Sequence, residues 1–219
     1  MKKIAFFGGS FDPVHNGHIQ IAHAISEQFS LDQFIFIPAF HAPHKLRNKP
    51  TSAYDRYAML CLATQAYAKF SVTKMELELP ERPYSVETLS RINEQLPDDD
   101  IYFVMGGDSW RDITIWREWE RVLSLCNHIV VTRPGADIAF SHVTDGVRSR
   151  ITDLRGAGKM DEASRSGQDR EPRIYITDKV NIDVSATEIR KKIRIADGSW
   201  INDVPMEVAN YIEKYQIYS

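Results

Sequence analysis

The chain has 219 residues, 43% of them hydrophobic and 26% charged, which is ordinary for a soluble globular protein and long enough for one domain with a sizeable core. Its formal net charge of −3 excludes the global basic field that coats a nucleic acid, so an anionic ligand has to be met by a few placed cations. The opening MKKIAFFGGS breaks its apolar stretch at Gly8, too short for a signal-peptide core, and no apolar run approaches the length of a bilayer span. Cys61 and Cys126 stand far apart in apolar surroundings and read as buried free thiols in a reducing compartment. The expectation is a cytoplasmic protein with no membrane or nucleic-acid partner.

In chain order, IAFF (4–7) reads as a strand and HIQIAHAISEQF (18–29) as a helix, with Ile21, Ala24, Ile25 and Gln28 at helical spacing. FIFIP (34–38) reads as a strand, SAYDRYAMLCLATQAY (52–67) as a helix, FSVTKMEL (70–77) as a strand and SVETLSRINEQL (85–96) as a helix. Both helices open with a serine, Ser52 or Ser85, a residue favoured for capping; Leu89 and Ile92 give the second one an apolar face. IYFVM (101–105), HIVVT (128–132) and RIYIT (173–177) read as strands, SATEIRKKI (185–193) and MEVANYIEKYQ (206–216) as helices. Most of the strands are short, continuous and rich in aromatic and β-branched residues, as in sheets buried on both faces. Strand alternating with helix implies a doubly wound α/β domain with a parallel sheet. One stretch breaks the pattern. Residues 137–172 are polar, glycine-containing and of mixed charge, and read as a solvated, partly disordered surface insertion rather than a lid.

GGSFDPVHNGH (8–18) follows the first strand, where open α/β sheets bind ligands near a helix amino terminus. It matches neither G-x-G-x-x-G nor G-x-x-x-x-G-K-[ST], which removes the main support for a dinucleotide-cofactor or P-loop reading. His15 and His18 admit three readings. With HAPH (41–44) they make a four-histidine zinc site, although catalytic zinc usually has three protein ligands on firm scaffolding. As imidazole donors beside free helix amides they hold phosphate oxygens. Alternatively they are two histidines at a turn with no ligand.

GSFDPVHNGH resembles the signature of the H-x-G-H nucleotidyltransferases, which bind ATP, and VSATEIR (184–190) resembles their later [ST]-x-T-x-[IV]-R segment. Between them, PAFHAPHK (38–45), PYSVETL (83–89), FVMGGDSWRDITIWREWERVL (103–123) and VVTRPG (130–135) resemble bacterial nicotinate-nucleotide adenylyltransferases over essentially the whole chain outside the insertion. The resemblance implies a single Rossmann-like doubly wound domain over 1–219, with a mostly parallel sheet and a C-terminal helical segment. It also implies condensation of ATP with nicotinate mononucleotide, giving nicotinate adenine dinucleotide and pyrophosphate in NAD biosynthesis.

What it implies for the residues is specific. His15, His18, Lys45 and Arg190 are catalytic, His18 stabilising the transition-state oxygens and the others orienting phosphates. ATP falls to Gly8, Gly9, Ser10, Phe11, His18, Gly106, Asp108, Ser185, Thr187 and Arg190, with Asp108 accepting from a ribose hydroxyl. Nicotinate mononucleotide falls to Ser10, His15, Lys45, Tyr84, Ser85, Trp116, Arg117 and Arg133. There Trp116 stacks on the pyridine ring, and the Ser85 and Arg117 amides receive the carboxylate. Mg²⁺ arrives with ATP and has no dedicated protein cage. A homo-oligomer stays open. Taken alone, Trp110, Trp116 and Trp119 also fit the buried face of one helix, GGD a bare turn, and Lys45 a solvated lysine. The sequence departs from the family with Ala186 in place of a hydroxyl residue, and with Ser85 and Glu87 where threonine and aspartate are common. The rival acceptors are nicotinamide mononucleotide and phosphopantetheine, and the rival class is a nucleotide-binding regulator without turnover.

Overall fold

A computed structural model describes residues 1–40, 51–79, 83–132, 137–156, 171–180 and 184–218. The elements alternate as the apolar runs predict: β1 (Lys3–Gly9), α1 (Asn16–Phe29), β2 (Gln33–Pro38), α2 (Ala53–Thr64), β3 (Phe70–Val72), α3 (Ser85–Gln95) and β4 (Asp100–Gly106). They continue with α4 (Gly107–Arg111), a 3₁₀ turn (Ile113–Ile115), α5 (Trp119–Leu125), β5 (Asn127–Val131), α6 (Asp145–Arg148), β6 (Ile151–Asp153) and β7 (Ile174–Thr177). A helical carboxyl segment closes the chain: α7 (Ala186–Arg194), a 3₁₀ segment (Gly198–Asp203) and α8 (Met206–Tyr215). Seven strands form one sheet in the order β3-β2-β1-β4-β5-β7-β6. β1 pairs with β4, β4 with β5, β5 with β7, and β6 with β7, all parallel, with Phe6 opposite Phe103 and Ile129 opposite Tyr175. This is the Rossmann-like α/β architecture.

By internal contacts the chain forms two compact units. The first comprises Met1–Phe7, His23–Phe34 and Pro83–Asn181. Its core joins Ile4, Phe6, Phe29, Leu89, Val104, Val130 and Ile176, all buried, and the Phe29 ring meets Tyr175 edge-on at 5.3 Å. The second comprises Gly8–Ala22, Ile35–Arg82 and Ile182–Ser219. Its core joins Phe11, Val14, Phe36, Met59, Leu60, Ile189, Val208 and Ile212.

Three expectations are corrected. FSVTKMEL is a strand only to Val72, because Thr73 Oγ1 accepts from the Met75 amide at 3.2 Å and Leu77 N–H donates to Lys74 O at 2.8 Å. A side chain that bonds its own backbone competes with the ladder. Ser85 does not cap α3. Tyr84 holds that position, with its N–H donating to Glu87 Oε2 at 2.8 Å, whereas Ser52 does cap α2, accepting from Tyr54 N–H at 3.3 Å. The described part of 137–172 is not a bare loop. It contains α6 and the edge strand β6 and buries Val143, Val147 and Leu154. Arg150 secures it, donating from Nη1 to Leu123 O at 2.8 Å and Pro172 O at 3.0 Å. Its few apolar side chains are diluted by charge, which hid them from a periodicity reading.

Candidate active site

The turn after β1 is built around two residues. Phe11 has φ 47 and its ring is 2% exposed, lying so close over Gly9 that a Cβ there would stand 2.9 Å from Phe11 Cζ. Glycine is therefore required at that position by the protein's own packing. The Phe11 ring meets Phe36 at 5.6 Å and His18 at 4.9 Å, both edge-on, so its side chain packs against the His18 imidazole.

His15 ends the turn and its carbonyl accepts from His18 N–H at 2.9 Å, starting α1. The two rings stack with centroids 3.7 Å apart and planes 27° from parallel. His15 N–H donates to His18 Nδ1 at 3.2 Å. A nitrogen that accepts carries no proton, so the neutral His18 ring bears its N–H at Nε2. His15 Nδ1 is buried and finds no hydrogen-bond partner among the described residues.

Both histidines are held toward the neutral form. Burial lowers His15 to about 4 against the opposing pull of Asp203. His18 is lowered well below its ordinary value, by burial first and by His15 second. In the other unit, burial lowers His128 to about 4. Between an unfolded value of 6.5 and folded values of about 4, the unfolded chain binds more protons, so stability rises with pH through that window and is lost as pH falls. Urea unfolding of the free protein should lose up to about 1.4 kcal/mol per pH unit for each such histidine below about pH 6.5. Unfolding free energies that stay level from about pH 7 to about pH 5 would overturn the neutral assignment.

The later motif reaches the same turn. Ser185 stands at the amino end of α7 in an extended conformation, its hydroxyl not spent on capping the helix. Thr187 and Arg190 are three apart on that helix, and Arg190 Nη2 donates to Thr187 Oγ1 at 3.4 Å. Arg190 Nη1 donates to Asp12 O at 2.5 Å. The bond between Arg190 and Asp12 ties the α7 start to the turn that carries His15 and His18.

Sequence reasoning missed Arg56 here. It is 1% exposed, donating from Nη1 to Ser10 O at 2.5 Å, from Nη2 to Ala39 O at 2.6 Å and Phe40 O at 3.1 Å, and from Nε to Thr51 O at 3.1 Å. Burial lowers its pKa, and Asp12 opposes that first among the neighbouring charges. One planar guanidinium thus joins the β1–α1 turn, the chain after β2 and the approach to α2. A signal existed: Arg56, Met59, Leu60 and Ala63 form the buried stripe of α2, and an arginine in an apolar stripe asks for a partner.

The first unit holds the remaining sites. β4 ends at Gly106, and Gly107 and Asp108 open the short α4 rather than a bare turn. A Cβ on Gly106 would meet nothing within 4 Å, so internal packing does not demand that glycine. Asp108 is exposed and pairs with Arg111 at 3.3 Å. The tryptophans do not share one helix: Trp110 is fully buried in α4, Trp116 is half-buried and extended after the 3₁₀ turn, and Trp119 starts α5. The Arg117 guanidinium lies 4.8 Å from the Tyr84 ring centroid and 3.6 Å from Glu87 Oε1. The Trp116–Arg117 segment and the α3 start at Tyr84 and Ser85 therefore meet. Lys45 and Arg133, and the HAPH segment, lie outside the described residues. Among the described residues no group of three or more His, Cys, Asp or Glu is arranged to hold a metal, and no helix is long and apolar enough to cross a membrane. Cys126 is buried and Cys61 half-buried, both free thiols.

A parallel α/β sheet thus carries paired imidazoles on the turn after its first strand, and an arginine from a late helix reaches that turn. The pattern of the cytidylyltransferase-like family matches residues 6–192. A probable nicotinate-nucleotide adenylyltransferase of Desulfitobacterium hafniense (strain Y51) is 33% identical over 219 residues, 99% of this chain and 96% of that protein. One from Citrifermentans bemidjiense is 34% identical over 218 residues, 99% of this chain and 98% of that protein. The solved Plasmodium falciparum nicotinic acid mononucleotide adenylyltransferase complexed with NaAD superposes with a TM-score of 0.69 at 21% identity, covering 100% of this chain and 98% of that one; that likeness shows the fold. The chain belongs to the cytidylyltransferase-like family, among the nicotinate-nucleotide adenylyltransferases.

Proposed function

We propose that this chain transfers the adenylyl group of ATP to nicotinate mononucleotide, giving nicotinate adenine dinucleotide and pyrophosphate in NAD biosynthesis, as one cytoplasmic nucleotidyltransferase domain. The observation that carries this reading is the stacked His15–His18 pair on a turn tied to Arg190, in a chain whose relatives bear that name. A phosphate oxygen of nicotinate mononucleotide attacks the α-phosphorus of ATP in line; the new P–O bond forms as the bond to the β-phosphate oxygen breaks and pyrophosphate leaves. Such a transfer needs positioning and neutralisation of growing charge more than covalent help. His18 Nε2–H serves as the donor to those oxygens, while His15, Lys45 and Arg190 orient the phosphates. Gly8, Gly9, Ser10 and Phe11 present backbone to the nucleotides, and Gly106, Asp108, Ser185 and Thr187 complete the ATP side.

For the acceptor, the Ser85 amide at the α3 start and the Arg117 amide receive the nicotinate carboxylate, Trp116 stacks on the ring beside Tyr84, and Arg133 holds a phosphate or ribose oxygen. A neutral amide in place of the carboxylate leaves such donors unpaired, at about 1–3 kcal/mol per buried group. Mg²⁺ enters with the triphosphate, held by phosphate oxygens and water, and neutralises its charge. The chain adds imidazole and guanidinium donors to that work.

The test is pyrophosphate release with MgATP and, in turn, nicotinate mononucleotide, nicotinamide mononucleotide and phosphopantetheine. Strong preference for the first is expected. Turnover only with another acceptor overturns the pyridine pocket, and MgATP binding without turnover favours a regulator. Trp116→Ala should raise KM for nicotinate mononucleotide about tenfold, the scale of one lost stacking contact, with kcat nearly unchanged. An unchanged KM would remove Trp116 from the site.

A further inference from the structure

We propose that Tyr218, in the segment after α8, is a positioning residue for the nucleotide-binding turn and holds Asp12 in place. The inference rests on the adenylyl-transfer reading and adds to it a residue outside every motif of the sequence. The Tyr218 hydroxyl donates to Asp12 Oδ1 at 2.7 Å, and Asp12 is 9% exposed. A carboxylate with so little water needs protein donors.

The chain is steered to that contact. Gln216 has φ 50, and Ile217 N–H donates to Ile212 O at 3.1 Å, the bond of a Schellman motif that turns the backbone off the helix axis. Tyr218 itself has φ 75, a conformation rare for a bulky residue and kept only where its surroundings determine it.

The position gives the contact its meaning. Ser10 and Asp12 flank Phe11, the residue packed against His18. Ser10 O accepts from Arg56 and Asp12 O from Arg190, and Tyr218 adds a third hold through the Asp12 side chain. Gripped from α2, α7 and the segment after α8, the turn presents His15 and His18 in one arrangement. Displacing it by about an ångström is enough to cost catalysis heavily.

The test is Tyr218→Phe in the full chain, which keeps the ring and removes the donor. The kcat/KM for MgATP should fall about tenfold and the MgATP Kd should weaken several-fold by calorimetry. Asp12→Ala should cost at least as much, since it also removes the charge facing Arg56, and the double variant should lose no more than Asp12→Ala alone, because the bond to Tyr218 is already gone. If Asp12→Ala does not fold, Asp12→Asn keeps an acceptor oxygen, and Tyr218→Phe must cost the same tenfold in that background. Unchanged kcat/KM and MgATP affinity overturn the proposal even if the melting temperature falls, since that is what a merely structural tyrosine gives. Losses that multiply in the double variant overturn it too. Wild-type chain that binds MgATP but releases no pyrophosphate with nicotinate mononucleotide fails the adenylyl-transfer reading instead, and Tyr218 is then judged on MgATP affinity.

Discussion

Replacing His18 by alanine should lower kcat about 10²- to 10³-fold while changing the MgATP Kd only a few-fold. The ring is pre-set as a donor: Nδ1 accepts from the His15 amide, His15 stacks on one face, and the Phe11 ring abuts it. With Nδ1 accepting, Nε2 is the ring nitrogen that bears the proton. A fixed donor aimed at oxygens whose charge grows only in the transition state lowers the barrier without tightening the ground state, and removing one such donor costs about 2.7–4 kcal/mol. The substitution also leaves the His15 amide without its acceptor, worth about 1 kcal/mol of stability. Urea unfolding separates that loss from the kinetic one. Equal loss of MgATP affinity with kcat intact would remove His18 from the chemistry.

Arg56→Ala should cost about 3–5 kcal/mol of unfolding free energy, measured by urea titration. The guanidinium serves the carbonyls of Ser10, Ala39, Phe40 and Thr51, and each hydrogen bond to a charged group contributes about 1.5–3 kcal/mol when counted singly, not additively. Removal also takes away one of the positive charges that buried Asp12 faces. Arg56→Lys should recover only part of the loss, because an ammonium is a point donor and cannot span acceptors placed around a plane. Against a typical stability of about 5–15 kcal/mol, the alanine variant should also be impaired in turnover at ordinary temperature. A loss below about 1 kcal/mol would show that these bonds merely replace water.

Much of the fold was legible because its signals are local. IAFF, FIFIP, IYFVM, HIVVT and RIYIT are short apolar runs that a sheet buries, and their strands formed where the runs lie. The histidine turn was legible because its parts are contiguous: Gly9, Phe11, His15 and His18 act on one another within a few residues. Thr187 and Arg190 meet at helical spacing, so VSATEIR carried its own geometry. The relatives' name likewise followed from motifs readable in order along the chain.

Only the tertiary structure decided the supports. The bond from Arg56 to Ser10 spans 46 residues, that from Arg190 to Asp12 spans 178, and that from Tyr218 to Asp12 spans 206. None leaves a period or a motif, because a donor is matched to an acceptor by where folding carries both. The same holds for the α3 cap, where Tyr84 and Glu87 displaced Ser85, and for β6, whose three residues are a strand only because β7 lies beside them. The residues of the chemistry are written in this sequence, while the groups that hold them still are chosen by burial, which is a property of the folded chain alone.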